Sequence, residues 1–364
     1  ADTIPNSSVQ NVKMSNIVNF KNIIINGDMS IAQRGTSVTG ITSGGYKTID
    51  RFPLNLDLGT WTQSQSTDVP TGQGFAKSFK MDCTTANASP SAAILAAVRT
   101  KIEGQNLQYL KKGTSSAEST TLSFWVKSNK TGTYICELID NDNSRQISQA
   151  YTISSASTWE KKTITFDGDT TGAFGNDNGA SLELHFWLGG GTDYTSGTLS
   201  TSWSSITQAN RAVGQVNLAD STSNEWYVTG VQLEAGTTAS EFEFLPVDVN
   251  LQRCQRYYEK SYNLSVAPGT ITEIGQSRFF YANTTSGYQG GNITFSVKKR
   301  TSATITSYAP TTGASGNANY FVFGSSTSVG SVTIQQQSER CFNYYGNGIS
   351  CDSSGLQYTA DAEL

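Results

Sequence analysis

The sequence predicts an all-β protein: an antiparallel jelly-roll sandwich followed by a smaller C-terminal β-sandwich, with an extended N-terminal arm. Three observations predict it. Apolar residues recur with period two from about Asn22 onwards, the signature of half-buried strands. Loops rich in Gly, Asn, Asp and Ser separate these stretches, as at 167–172 and 189–193, where the chain turns. Helical periodicity is rare, so strands are not joined by crossover helices, which favours antiparallel sandwiches over a parallel α/β sheet.

Taken in order, residues 1–21 hold too few large apolar groups for a core and read as the extended arm. They lack the basic and apolar regions of a secretory signal, and the sequence opens on Ala1, as expected of a processed chain or a piece of a longer one. Residues 22–246 form the jelly roll. Its clearest alternation lies at 121–127, 162–166, 181–188 and 226–233. The stretch 92–99 is rich in Ala and suits a helix or a strand equally. Residues 247–258 read as a short helix after Pro246, which is tolerated at a helix start because its missing N–H has no partner there. That helix marks the boundary to a C-terminal unit, 247–364, with strands expected at 278–282, 291–297, 303–308 and 329–334.

Composition narrows the function. The chain has 364 residues, a formal net charge of −4, only 15% charged residues and 34 glycines, and roughly a quarter of it is Ser or Thr. A surface of hydroxyls and amides without positive charge lacks the footprint of a nucleic-acid binder and gives no attraction to anionic membranes. No apolar run approaches the ~20 residues that span a bilayer, so no membrane insertion is expected. The odd number of cysteines, 5, points to buried thiols rather than a disulfide framework, with a Cys341–Cys351 loop closure as the alternative.

His185 is the single histidine, which removes histidine triads and multi-histidine zinc sites within one chain. Cys-x-x-Cys, P-loop and dinucleotide motifs are absent from the sequence. Paired carboxylates are the one catalytic option, with Glu137 and Asp140, or Asp167 and Asp169, as candidates and solvated loop acids as the plainer reading; the expectation is that the chain is not an enzyme. The aromatics carry a better signal. Alternation puts Leu122, Phe124 and Val126 on one face and Ser123, Trp125 and Lys127 on the other; likewise Leu182, Leu184, Phe186 and Leu188 oppose Glu183, His185 and Trp187. If the aliphatic faces make the core, Trp125, Trp187, Lys127, Glu183 and His185 stand outward, as a platform for a glycan whose C–H face packs on an aromatic ring, or as a face covered by another domain or subunit.

Several segments also carry a pattern. Residues 22–36, including Asn26-Gly27-Asp28-Met29 and Gln33-Arg34-Gly35, then Tyr46 and Asp50-Arg51-Phe52, together with 122–128, 158–163 and 228–236, resemble a jelly-roll module of bacteriophage tail-fibre and virion-fibre proteins, although that module usually has Trp at the position of Phe52. Residues 241–246, Cys254-Gln255-Arg256-Tyr257-Tyr258 and the stretch 358–364 are similar to the exit from this module and to the ending of such proteins. The resemblance covers most of 22–258, and it implies a homotrimeric virion protein, displayed on the particle beside other virion proteins, whose jelly roll is similar to carbohydrate-binding modules. The expected function is a tail fibre that binds a host surface glycan; the alternative is a capsid or tail decoration protein with a purely structural role. Modules of that kind often hold a structural calcium, for which Asp28 and Glu234 are the donors by position; Asp28 as a cap on the Asn26-Gly27 turn is the competing reading.

Overall fold

The computed structural model describes residues 20–281, 287–322 and 327–364; the expected arm at 1–19 and Ala282 lie outside them. The first unit is a sandwich of two antiparallel sheets. Its strands are β1 (Ser37–Ile41), β2 (Leu54–Leu56), β3 (Thr60–Ser66), β4 (Ser78–Thr85), β5 (Leu95–Glu103), β6 (Thr120–Ser128), β7 (Gly132–Asp140), β8 (Arg145–Ile153), β9 (Glu160–Phe166), β10 (Ala180–Gly190), β11 (Ser204–Ser205) and β12 (Glu225–Ala235). One sheet runs β1-β3-β4-β12-β6-β9 and the other β11-β8-β7-β10-β5-β2. The stretch that suited helix or strand is the strand β5, held between β10 and β2.

Period-two alternation builds the core. Phe79 and Met81 of β4, Phe124 and Val126 of β6, Leu184 and Phe186 of β10 and Trp226 and Val228 of β12 are fully buried between the sheets. Phe124 meets Phe186 edge-on at 5.1 Å, and Phe186 lies 5.8 Å from Trp226. Each such side chain contributes about 1.5–3 kcal/mol by leaving water. Residues 22–28 form no strand; they run beside the second half of β12, with Ile23 N–H donating to Leu233 O and Val231 N–H to Gly27 O, both at 2.9 Å. A Cβ at Gly27 would sit 2.0 Å from the Val231 carbonyl, so only glycine lets the segment come this close.

Beyond Pro246 the helix Val247–Gln255 forms as the sequence predicts. Its buried Asn250 donates to Asp28 Oδ1 at 3.1 Å and Ser30 Oγ at 3.0 Å, fastening the helix to the opening loop. The C-terminal unit then adds β13 (Tyr258–Lys260), β14 (Ser277–Phe280), β15 (Gly287–Thr294), β16 (Thr304–Tyr308), β17 (Asn317–Phe321), β18 (Ser328–Ser331), β19 (Thr333–Gln335), β20 (Cys341–Ile349) and β21 (Ser353–Asp361). β21 is the hub: β13, β14, β16 and β17 all pair with it. A second core, with Tyr320, Phe342, Tyr344, Leu356 and Tyr358, lies here, separate from the first.

Two expectations change. The expected strand at 329–334 is divided at Val332, whose N–H turns aside to Gly316 O. Cys341 and Cys351 do not close a loop, because Cys341 opens the nine-residue extended strand β20 and Cys351 lies two residues past its end; at about 3.3 Å per residue that holds them far beyond disulfide reach. All five cysteines are free, and Cys341 alone is not buried.

The two units are locked by a buried ionic joint. The Arg51 guanidinium, 1% exposed, stacks 3.5 Å from the centre of the Tyr257 ring, donates to the Glu363 carboxylate and donates to Lys101 O at 2.7 Å. Arg34 stacks on Tyr258 at 3.6 Å and pairs with Asp361 at 3.1 Å and Glu363 at 3.3 Å. Gln33 Nε2 bridges Asp50 Oδ2 and Tyr258 O at 2.6 and 2.7 Å. Arg51 holds φ at +70°, a conformation that persists in a non-glycine residue only where its surroundings over-determine it. Burial pushes the Asp50 carboxyl up, against the pull of Arg34.

Removing one partner of a buried ion pair leaves the other charge stranded, so Glu363→Gln or Arg51→Met is expected to cost about 3–5 kcal/mol in denaturant unfolding; a loss below about 1 kcal/mol would mean that the joint does not hold the units together. In the native protein a thiol reagent is expected to modify Cys341 first, since the Ser338 hydroxyl beside it lowers its thiol pKa, while burial raises those of Cys136 and Cys254; equal rates at all five positions would contradict this.

Candidate functional site

The outer face of the first sheet carries the aromatic cluster. On β6 the core-facing Phe124 and Val126 leave Trp125 and Lys127 on the outer face, but only Trp125 keeps exposure: Lys127, 8% exposed, is covered by its neighbours rather than open to a ligand as expected. Lys127 pairs across with Tyr227 of β12, and Trp125 stands between Thr229 of β12 and Lys161 of β9. Trp159, one residue before β9, lies beside the same group: its ring is 6.1 Å from that of Tyr227. Trp125 and Trp159 are both half-buried, so each keeps a ring partly open to solvent.

Cations and acids fix these rings. The Lys127 ammonium lies 4.4 Å from the centre of Tyr227 and 5.7 Å from that of Trp159, with Lys80 5.2 Å from Tyr227 on the next strand. Lys127 pairs with Asp68, whose other oxygen accepts from Trp159 Nε1 at 2.9 Å. Lys80 pairs with Glu225 at 2.7 Å, which also accepts from Tyr227 Oη at 2.9 Å. Burial works upward on the Asp68 carboxyl, and the donors Lys127 and Trp159 more than offset it, so it stays below the usual carboxylate range. Trp159 and Tyr227 meet edge-on, at 66°, and are fixed there by cation–π contact and hydrogen bonds. Sequence reasoning found Trp125 and Lys127 but missed Trp159 and Tyr227. The signal was the 158–163 stretch, where Trp159 continues the outward set of Lys161 by period two.

The other three predicted residues sit elsewhere. Trp187 lies in the second sheet, so Trp125 and Trp187 face opposite sides of the sandwich and form no common platform. Trp187 does point away from the core, as alternation requires, but it is fully buried, because the chain folds residues 191–212 over it. Tyr194 packs 5.4 Å from its ring and the Arg211 guanidinium 5.1 Å from it. Its Nε1 donates to Glu137 Oε2 at 3.0 Å. His185 and Glu183, only 2% and 7% exposed, join this covered layer: His185 Nε2 meets Glu183 Oε2 at 2.8 Å, and Arg99 and Lys101 flank Glu183 at 3.5 and 3.7 Å. The expectation that Glu183, His185 and Trp187 stand open to a ligand is therefore corrected.

The calcium donors are likewise apart. Asp28 lies beside Thr229, its backbone oxygen accepting from Thr229 Oγ1, whereas Glu234 is five residues further along β12, about 15 Å away at the usual strand rise. Asp28 Oδ1 accepts from Ser30 and Asn250, and Glu234 accepts from Ser240 and Gln232. Among the described residues no three acids, histidines or cysteines cluster as a metal site. The carboxylates weighed for catalysis are also engaged: Glu137 with Arg211 at 2.9 Å, Asp140 with Lys112 at 2.6 Å, and Asp169 with Arg145 and Lys112 at 2.6 and 3.0 Å. Asp167 supplies only its backbone carbonyl, to Trp203 Nε1.

Neither a family model nor a curated protein sequence matches the chain. Among solved structures, it is similar to the enzymatically active domain of tailspike protein 4 from bacteriophage CBA120, at 16% identity and a TM-score of 0.32 over 59% of this chain and 22% of that one. It is also similar to a putative sugar binding protein from Bacteroides thetaiotaomicron, at 13% identity and a TM-score of 0.33 over 59% and 99% of the two chains. A family 11 carbohydrate-binding module from a Clostridium thermocellum cellulase matches at 10% identity and a TM-score of 0.27 over 59% and 96%. The chain thus spans about a fifth of the length of the tailspike domain it matches.

The covered layer generates a pH dependence. Burial works upward on Glu183, and the His185 hydrogen bond and charge outweigh it, lowering its pKa to about 2. A carboxyl whose folded pKa is depressed contributes stability above its unfolded value, near 4.5, and loses it as pH falls towards about 2; the contribution is about 3 kcal/mol. Glu183→Gln is expected to flatten the fall of the denaturation midpoint across that window. An unchanged slope would show that Glu183 is not the group titrating.

Proposed function

We propose that the chain is a non-enzymatic fibre protein of a bacteriophage virion that binds host surface glycans on the outer face of its first sheet. The observation that carries the reading is the half-buried pair Trp125 and Trp159 around Lys127 and Tyr227, on a polar face that the described chain leaves partly open. The tryptophans pack on the C–H face of a sugar, while the exposed Lys161 between them meets its hydroxyls. No proton transfer is assigned to the protein, since Glu137, Asp140 and Asp169 are held by cations in the fold.

A second reading, a decoration protein whose surfaces serve only assembly, draws on the C-terminal unit, where Ile271, Ile274 and Phe280 are 65%, 69% and 68% exposed. Large apolar side chains in such numbers fit a subunit contact. In the fibre reading the same contact makes a homotrimer, and three weak sites on one particle appendage add avidity without any tight site.

Trp125→Ala and Trp159→Ala are each expected to weaken saturable binding on a glycan array about tenfold, with melting temperature kept. Binding equal to wild type in both would overturn the platform. Light scattering is expected to return a mass near three chains, and Phe280→Ser with Ile274→Ser to lower it; a monomer before mutation would remove the trimer.

A further inference from the structure

Between the first unit, the linker helix and the start of the C-terminal unit lies a cleft of about 720 Å³, within the range of roughly 300–1,000 Å³ typical of small-ligand sites. Five cations line it, Arg51, Lys101, Arg253, Arg256 and Lys298, and none of the lining residues is Asp or Glu. In a chain of net charge −4 this is a local reversal of sign, and a concave wall concentrates its field on whatever enters.

The positive charge is only partly answered. Carboxylates pair with four of the cations from positions that do not line the cleft: Glu363 with Arg51, Glu183 with Lys101, Glu103 with Arg256 and Glu339 with Lys298. Arg253 forms no ion pair among the described residues; its guanidinium lies 5.3 Å from the centre of the Phe20 ring, and the Glu243 carboxylate acts on it only from beyond ion-pair distance. Burial disfavours its charged form and lowers its pKa; Lys101 is pushed the same way by burial and by the neighbouring Arg99 and Arg51. Arg51 Nε is buried with no hydrogen-bond partner. A half-buried cation with no ion-pair partner carries a desolvation cost, and an anion in the cleft offsets it. The remaining wall includes the ring of Tyr109 and the amides of Gln105 and Asn106, groups that suit the apolar face and the hydroxyls of a sugar.

We propose that this cleft binds a carboxylate-bearing sugar, a hexuronate unit of an acidic polysaccharide, with Arg253 as its principal carboxylate partner and Lys298 at its rim. The carboxylate is inferred from the cations; the sugar rests on the glycan-binding reading above. The cleft is separate from the tryptophan platform, so the chain has two subsites of different charge preference.

The test is titration calorimetry of the full chain with trigalacturonate and with the neutral galactose trisaccharide. Trigalacturonate is expected to bind, to weaken as salt rises, and to lose roughly tenfold or more in affinity in Arg253→Gln and in Lys298→Gln, charge-assisted contacts being the strong ones. Two variants are used so that a folding defect in one, seen as a lowered melting temperature, leaves the other to decide. Absence of trigalacturonate binding, equal affinity for the neutral trisaccharide, or equal competition by inorganic phosphate would overturn the proposal. Loss of trigalacturonate binding in Trp159→Ala but not in Arg253→Gln would place the acid on the platform and overturn the cleft alone. Failure of the neutral trisaccharide to bind would count against the platform and leave the cleft to be judged on the acid.

Discussion

The architecture turns on Arg51. Its side chain, buried in a left-handed stretch of backbone, holds Glu363 from the far end of the chain and stacks on Tyr257 from the linker. Arg34, Asp50 and Asp361 complete the joint, so the opening loop, the exit from the helix and the last strand are one ionic assembly. A buried pair of this kind adds little net stability over an apolar contact, because desolvation takes back most of the attraction. What it gives is direction. Guanidinium planes fixed by a ring on one side and carboxylates on another accept only one arrangement of the two units. The cationic cleft follows from the same constraint, since Arg51 and Tyr257 are part of its wall.

Much of the fold was legible because period-two alternation is a local signal. Phe124, Phe186 and Trp226 face the core as their neighbours in sequence require, and the helix after Pro246 forms in its place. β21 was not legible as a strand. Its residues 353–360 are buried throughout, so they show no alternation, and Ser353, Ser354 and Gly355 supply no apolar pattern. Gly346 and Gly348 obscure β20 in the same way.

The candidate site was half legible for a different reason. Alternation correctly sends Trp187 away from the core, but whether an outward face meets water depends on where the chain travels next. Residues 191–212 return over the second sheet and bury Trp187, whereas Trp125 keeps its exposure on the first. No local pattern carries that information. The motifs that resemble phage fibres, Gln33-Arg34, Asp50-Arg51, Tyr257-Tyr258 and the closing acids, come together as the joint. Their shared role is positional: each carries a polar group, and each satisfies another from a distant part of the sequence.

The place of β21 in the chain has a consequence for the order of synthesis. Four strands that precede it, β13, β14, β16 and β17, pair with it rather than mainly with one another. During translation these strands emerge with their central partner still unmade, carrying open edges and Tyr- and Phe-rich faces. The first unit closes its sandwich as it leaves the ribosome, but the second waits for residues 353–361 before its sheet can form. A transcript cut short before that point would therefore yield a finished jelly roll trailing an unfolded tail.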